Sequence, residues 1–170
     1  MQGKWKLMTR MNELPENAKV KSSIGGENYK RKPGSENIYK PENAEKEETL
    51  KVPGKLPTLN EFINAAKENI YPYSQLKKKE QNKVKWYVKQ QNIPFFEEAF
   101  IEIRYFRPDK RADIDNISSG AKKVILDALV EMGTIQDDCW SVVKGFKESF
   151  EVDKDNPRTE VILKEVKDES

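Results

Sequence analysis

The stretch "RADIDNISSGAKKVILDALVEMGTIQDDCW", residues 111–140, decides how the rest of the chain is read. Ile117, Ala121, Val124, Ile125, Ala128, Leu129 and Met132 recur at helical spacing and make one apolar face. Asp115 or Asn116 is placed to cap the start of this helix, and Gly133 to stand just past its end. Acids lie at both ends, Asp113 and Asp115 before the helix and Asp137 and Asp138 after it. Lys122, Lys123 and Asp127 lie between, with Asp127 an i,i+4 partner for Lys123.

Outward from this helix the periodicity changes. Upstream, "AFIEIRYFRP" (99–108) sets Phe100, Glu102, Arg104 and Phe106 against Ile101, Ile103 and Tyr105, the alternation of a strand. Downstream, "CWSVVKGFKESFEV" (139–152) and "TEVILKEV" (159–166) are strand-like runs separated by Asp155-Asn156-Pro157, which predicts an antiparallel pair. Farther upstream a short extended piece, Leu50 to Val52, meets the Pro53-Gly54 turn. Thr58 or Asn60 then caps a helix through Phe62, Ile63 and Ala66. Pro72 interrupts before a second helix, about Ser74 to Gln91, with Leu76, Val84 and Val88 as its buried stripe. The fold class is α+β: a small mixed β-sheet packed with helices, with the acidic site at a strand-to-helix junction.

Residues 1–48 show no persistent helical or strand period and are rich in Lys, Glu, Asn, Gly and Pro, which predicts a flexible polar arm ahead of a domain at 49–168. Hydrophobic residues make up 36% of the chain and charged residues 35%, consistent with a compact domain joined to a polar segment. The net charge of +2 identifies no partner, so local clustering must do so. The single cysteine, Cys139, excludes an intramolecular disulfide framework. No apolar run approaches a membrane span and the N-terminus lacks a signal core, so a cytoplasmic protein without membrane contact is expected. The chain has no histidine, which excludes Ser-His-Asp triads and the usual histidine-ligated zinc and nuclease sites. Acid–base and metal chemistry must rest on carboxylates, lysine, tyrosine, the cysteine or water.

Asp113 and Asp115 are one residue apart, and in an extended lead-in both carboxylates could face one pocket. Converging carboxylates need a neutralising cation, and hard oxygen ligands suit Mg²⁺ or Mn²⁺. Taken alone, the pair is more simply explained by a helix cap at Asp115 with a solvated Asp113. A calcium EF-hand loop is excluded, because its fifth and twelfth positions would be Ile117 and Val124. A sugar-nucleotide transferase needs a nucleotide-binding domain for which there is no room. Haloacid-dehalogenase-like phosphatases place their aspartates directly after a buried strand, where this chain has "RPDKRA". Asp137 and Asp138 matter to this site only if the fold returns them to it.

Two basic clusters flank the acids. "KKKEQNKVKWYVK" (77–89) carries six lysines against one glutamate, among them Lys77, Lys78, Lys79 and Lys83, with Trp86 and Tyr87 interleaved. It reads as a phosphate-contacting face or as a solvated helix face. Arg104, Arg107, Lys110 and Arg111 lead into the acidic motif, and would let a polyanion approach carboxylates that otherwise repel it.

In this order, "RPDKRADIDN", "AKKVILDAL" and "GTIQDDCW" resemble the RusA family of Holliday-junction resolvases, common in phages and prophages, and "GKLPTLNEFINAAKEN" is similar to the N-terminal half of phage versions. The resemblance covers roughly residues 50–167. It implies a homodimeric, Mg²⁺-dependent endonuclease, with Mn²⁺ as a substitute, that cuts four-way DNA junctions symmetrically in recombination and repair. Carried over residue by residue, the implied catalytic acids are Asp113, Asp115 and Asp138, with Asp137 supporting the metal. The implied functional lysine, four residues before Asp127, is Lys123; about four extra residues around "ISSG" shift the forward count to Ser119, and Lys122 is its neighbour. The implied DNA contacts are Lys77, Lys78, Lys79, Lys83, Arg107, Lys110 and Arg111. Alternatives are a branched-DNA-binding protein without catalysis, and a less selective metal nuclease acting on flaps or forks.

Overall fold

The computed structural model describes residues 46–166. Its elements run β1 (Glu47–Pro53), α1 (Leu59–Glu68), α2 (Ile70–Gln90), β2 (Ala99–Arg107), α3 (Ile114–Glu131), β3 (Val143–Val152) and β4 (Arg158–Glu165). Residues 1–45 of the expected arm lie outside the described residues; Glu47 and Glu48, its last members, already belong to β1. The architecture is α+β, a four-stranded mixed sheet packed with three helices.

The sheet order is β1-β4-β2-β3, with β2 and β3 parallel and the other neighbours antiparallel. This corrects the expected β3–β4 hairpin. The whole of α3 intervenes between β2 and β3, and such a crossover lays its two strands side by side in parallel. The turn after β3 then passes over the end of β2, where the Asp153 N–H donates to the Arg107 carbonyl at 2.8 Å. β4 is therefore delivered to the other side of β2. β2 becomes an inner strand and buries residues on both faces.

Ile101, Ile103 and Tyr105 of β2 point to one face with Leu50, Val52, Val161 and Leu163, all essentially fully buried. They form one cluster with Val84 and Val88 of α2 and with Ile117, Ala121, Val124, Ile125, Ala128 and Leu129 of α3. Each large aliphatic side chain so buried contributes about 1.5–3 kcal/mol, before the entropy of ordering is subtracted.

The caps explain where the helices start. Thr58 opens α1 in a reciprocal capping box with Glu61: the Glu61 N–H donates to Thr58 Oγ1, and the Thr58 N–H to Glu61 Oε2. α2 begins at Ile70, four residues before its expected start, with Asn69 accepting from the Tyr71 N–H at 2.7 Å. Pro72 sits inside that first turn, because its missing N–H is one that no intrahelical carbonyl would have accepted. α3 starts at Ile114 with Asp113 at the N-cap, two residues ahead of the expected Asp115 and three ahead of Asn116. Its far end is as expected. Gly133 takes φ +67°, and the Gly133 and Thr134 N–H groups donate back to Val130 and Leu129, which closes the helix.

Candidate nucleic-acid interface and carboxylate groups

β2 ends at Arg107 and α3 begins at Ile114, so Asp113 and Asp115 lie on the strand-to-helix junction. Both are exposed, as is Ile114 between them. Asp113 occupies the N-cap but its side chain makes no capping hydrogen bond. Asp115 lies in the first turn, where the helix dipole favours negative charge. Among the described residues neither carboxylate has an ion-pair partner. Lys110 and Arg111 beside them are also exposed, and Arg111 reaches only Asp109, at 3.5 Å.

Arg107 departs from the expected outward-facing cation. It is nine-tenths buried, and its guanidinium donates to the Leu56 carbonyl at 3.1 Å, tying the end of β2 to the lead-in of α1. Burial pushes its pKa below the usual arginine value, against the pull of Glu61 and Asp109. A phosphate could meet this group only after it left that carbonyl.

The second acidic pair lies in the turn between α3 and β3, exposed, with the Asp138 N–H donating to Asp137 Oδ1 at 2.8 Å. The fold brings Asp138 to Lys123 on α3, Oδ2 to Nζ 3.7 Å. Lys123 also holds Asp127 at 2.7 Å, and Asp127 accepts from Lys77 and from Gln81 of α2, each at 2.9 Å. These contacts fasten α2 to α3. Burial raises the Asp127 pKa, but hydrogen bonds from Lys123 and Lys77 outweigh it, and the carboxyl sits below its ordinary value. The hydrogen bond to Asp127 and the charge of Asp138 push Lys123 up, so it stays protonated.

The predicted acids thus fall into two sets. Asp113 precedes Lys123 by ten residues, roughly 15 Å of helix at 1.5 Å per residue. Among the described residues no three acidic, cysteine or histidine side chains gather closely enough to hold a metal ion. For Mg²⁺, however, one or two carboxylates commonly suffice, with water and substrate phosphate completing the sphere. Asp113 and Asp115 fit that requirement in kind, being hard oxygen donors not already claimed by a lysine or arginine.

The lysines of α2 diverge around the helix. Lys77, Lys78 and Lys85 line a groove of about 650 Å³ between α2 and α3, together with Lys123, Asp127, Glu131, Asp137 and Asp138. Lys77 is spent on Asp127, and Lys85 on Glu131 at 2.7 Å. Lys83 turns the other way, toward Gly54 and within 3.9 Å of Glu80. Only Lys78 and Lys79 of the predicted four are exposed and free of ion pairs among the described residues.

Sequence reading missed Glu148. From β3 it accepts Ser118 Oγ at 2.7 Å, Tyr105 Oη at 2.9 Å and Lys122 Nζ at 2.8 Å, while Lys122 also lies over the Phe146 ring. Burial raises the Glu148 pKa, but these three donors bring it below the ordinary value; the Tyr105 hydroxyl is pushed up by burial and by Glu148. Lys122 is thereby a strut between α3 and the sheet, whereas Lys123 faces the groove. The strand alternation could have placed Glu148 on the helix-facing side of β3, but not beside Ser118 of the "ISSG" insertion. A scan against protein-family models and a search of curated proteins both found no match to this chain.

Proposed function

We propose that the chain is a metal-dependent, structure-specific DNA endonuclease of the RusA type, resolving four-way junctions by paired phosphodiester hydrolysis as a homodimer. The observation that carries this reading is the β2–α3 junction: two exposed aspartates without cationic partners among the described residues, next to exposed Lys110 and Arg111. Asp127 of α3, by contrast, is neutralised within the fold by Lys77 and Lys123. Acids that serve only stability gain from such partners, while acids that serve a divalent cation must be left open.

In this reading Asp113 and Asp115 would hold Mg²⁺, or Mn²⁺ in its place, while Asp138 and Asp137, expected beside them, stand apart with Lys123 toward the other end of α3. The chemistry such an ion supplies is polarisation of the scissile phosphate and activation of a water nucleophile. Lys110 and Arg111 draw the DNA backbone to the carboxylates. Lys123, kept protonated by Asp127 and Asp138, offers positive charge to the phosphate as it becomes more negative. Dimerisation would set two such sites across a symmetric substrate.

The test is cleavage of an end-labelled four-way junction beside linear duplex and flap DNA, with Mg²⁺ and with chelator. Paired symmetric nicks on the junction alone, lost in chelator, are expected. Equal cutting of flaps would replace the reading by a less selective nuclease. Junction binding without cutting in Mg²⁺ or Mn²⁺ would replace it by a branched-DNA-binding protein.

A further inference from the structure

Trp140 is 96% exposed, although tryptophan is heavily buried on average. Its turn is not loose. The Val142 and Val143 N–H groups both donate to the Cys139 carbonyl, at 3.1 and 2.8 Å, and Cys139 Sγ lies 2.9 Å from Ser141 Oγ. The Cys139 side chain packs against the core, so the turn is anchored immediately before the tryptophan. The other described tryptophan, Trp86, meets the Tyr87 ring edge-on at 4.7 Å; Trp140 has no ring, cation or hydrogen-bond partner among the described residues. A rigid turn therefore presents an indole to solvent, two residues from Asp138 and the groove that holds Lys78 and Lys123.

We propose that Trp140 is a stacking platform for an unpaired or unstacked nucleobase of the bound DNA, an assignment that rests on the nuclease reading above. Two features select a base over other ligands. The neighbours of Trp140 along the turn, Gln136, Asp137, Asp138 and Ser141, are exposed and polar, so the turn itself adds no apolar surface of the kind a protein partner covers. A flat ring with polar edges is the partner that a lone indole in polar surroundings can hold. Asp137 and Asp138 also repel a phosphate at the tip of the turn. They leave the uncharged base to meet Trp140, while the backbone turns toward the lysines of the groove. Base–aromatic stacking is tolerant of sequence, and the bases flanking a four-way branch are the ones most readily unstacked.

The experiment uses the full chain, in chelator so that nothing is cut, and four-way junctions carrying 2-aminopurine at each position flanking the branch. Wild type, Trp140→Leu, Trp140→Phe and Trp86→Leu are compared by binding affinity and by 2-aminopurine emission. Wild type is expected to bind and to quench the probe at one or more positions. Trp140→Leu should bind about fivefold or more weakly, the size of one lost stack, and should lose the quenching. Trp140→Phe should keep most of both, and Trp86→Leu should match wild type. Trp140→Leu binding and quenching like wild type overturns the platform while leaving the DNA reading intact. A loss in Trp86→Leu equal to that in Trp140→Leu removes the assignment to Trp140. Failure of wild type to bind any junction overturns the nuclease reading, and the platform with it.

Discussion

Gly120 of α3 is packed directly on the backbone of Thr58, the cap of α1: a Cβ at Gly120 would stand 2.4 Å from the Thr58 carbonyl carbon and 2.5 Å from the Pro57 carbonyl oxygen. The contact sets how closely the first and third helices approach, and it lies within the "ISSG" stretch. The close approach involves backbone on one side, which cannot swing away as a side chain can.

Gly120→Ala should therefore destabilise the fold. Overpacking costs about 3 kcal/mol at such a contact, and the better helix propensity of alanine returns about 1 kcal/mol. A net loss of about 2 kcal/mol in urea unfolding is expected. A variant as stable as wild type would show that α1 can retreat at no cost.

Asp127 links stability to pH. Burial acts to raise its pKa, but its hydrogen bonds from Lys123 and Lys77 leave it below the ordinary value of 3.8. A carboxyl depressed in the folded state stabilises the protein fully above its unfolded value, and that contribution is lost as pH falls through the folded value. Asp127→Asn should lose about 1–3 kcal/mol near neutrality. Its stability should also decline less steeply than that of wild type below about pH 4. Parallel acid limbs for the two proteins, followed by thermal melting, would refute the link.

Lys122 and Lys123 should separate by phenotype. Lys122→Met removes the partner of Glu148 and is expected to lower stability by about 1–3 kcal/mol while leaving cleavage per folded molecule little changed. Lys123→Met keeps the Asp127–Lys77 contact and should instead reduce cleavage at least tenfold with a smaller effect on melting. The reverse pattern would transfer the functional role to Lys122.

Asp113→Asn and Asp115→Asn remove charge from an exposed junction where no internal partner is lost. Stability should stay within about 0.5 kcal/mol of wild type, as for most surface substitutions. Junction cutting should be abolished and junction binding retained. Either variant cutting at the wild-type rate would remove that aspartate from the site.

Much of this architecture was legible in the letters because it depends on near neighbours in sequence. The apolar spacing from Ile117 to Leu129 marked α3, the alternation from Phe100 to Phe106 marked β2, and Gly133 marked the helix end. One failure was local, and the other came where a distant partner decides. Pro72 reads as a break until Asn69 is seen to open the helix ahead of it. The runs at 143–152 and 158–165 read as a hairpin until β2 is found between them. The site was legible to the same degree. Asp113 and Asp115 stand at the strand-to-helix junction where the spacing placed them, but Arg107 is buried against Leu56 and the α2 lysines point to different sides.

The sequence by itself determined the helices and strands, the absence of imidazole chemistry, and the junction that carries Asp113 and Asp115, since hydrophobic period and residue type are local properties. Only the tertiary structure decided that Asp138 meets Lys123, that Lys122 belongs to Glu148, and that Asp127 joins α2 to α3. Those contacts join residues from 15 to 50 positions apart in the chain. Which charges meet at that range is set by how the apolar faces of α2, α3 and the sheet close on one another, and no local pattern encodes that closure.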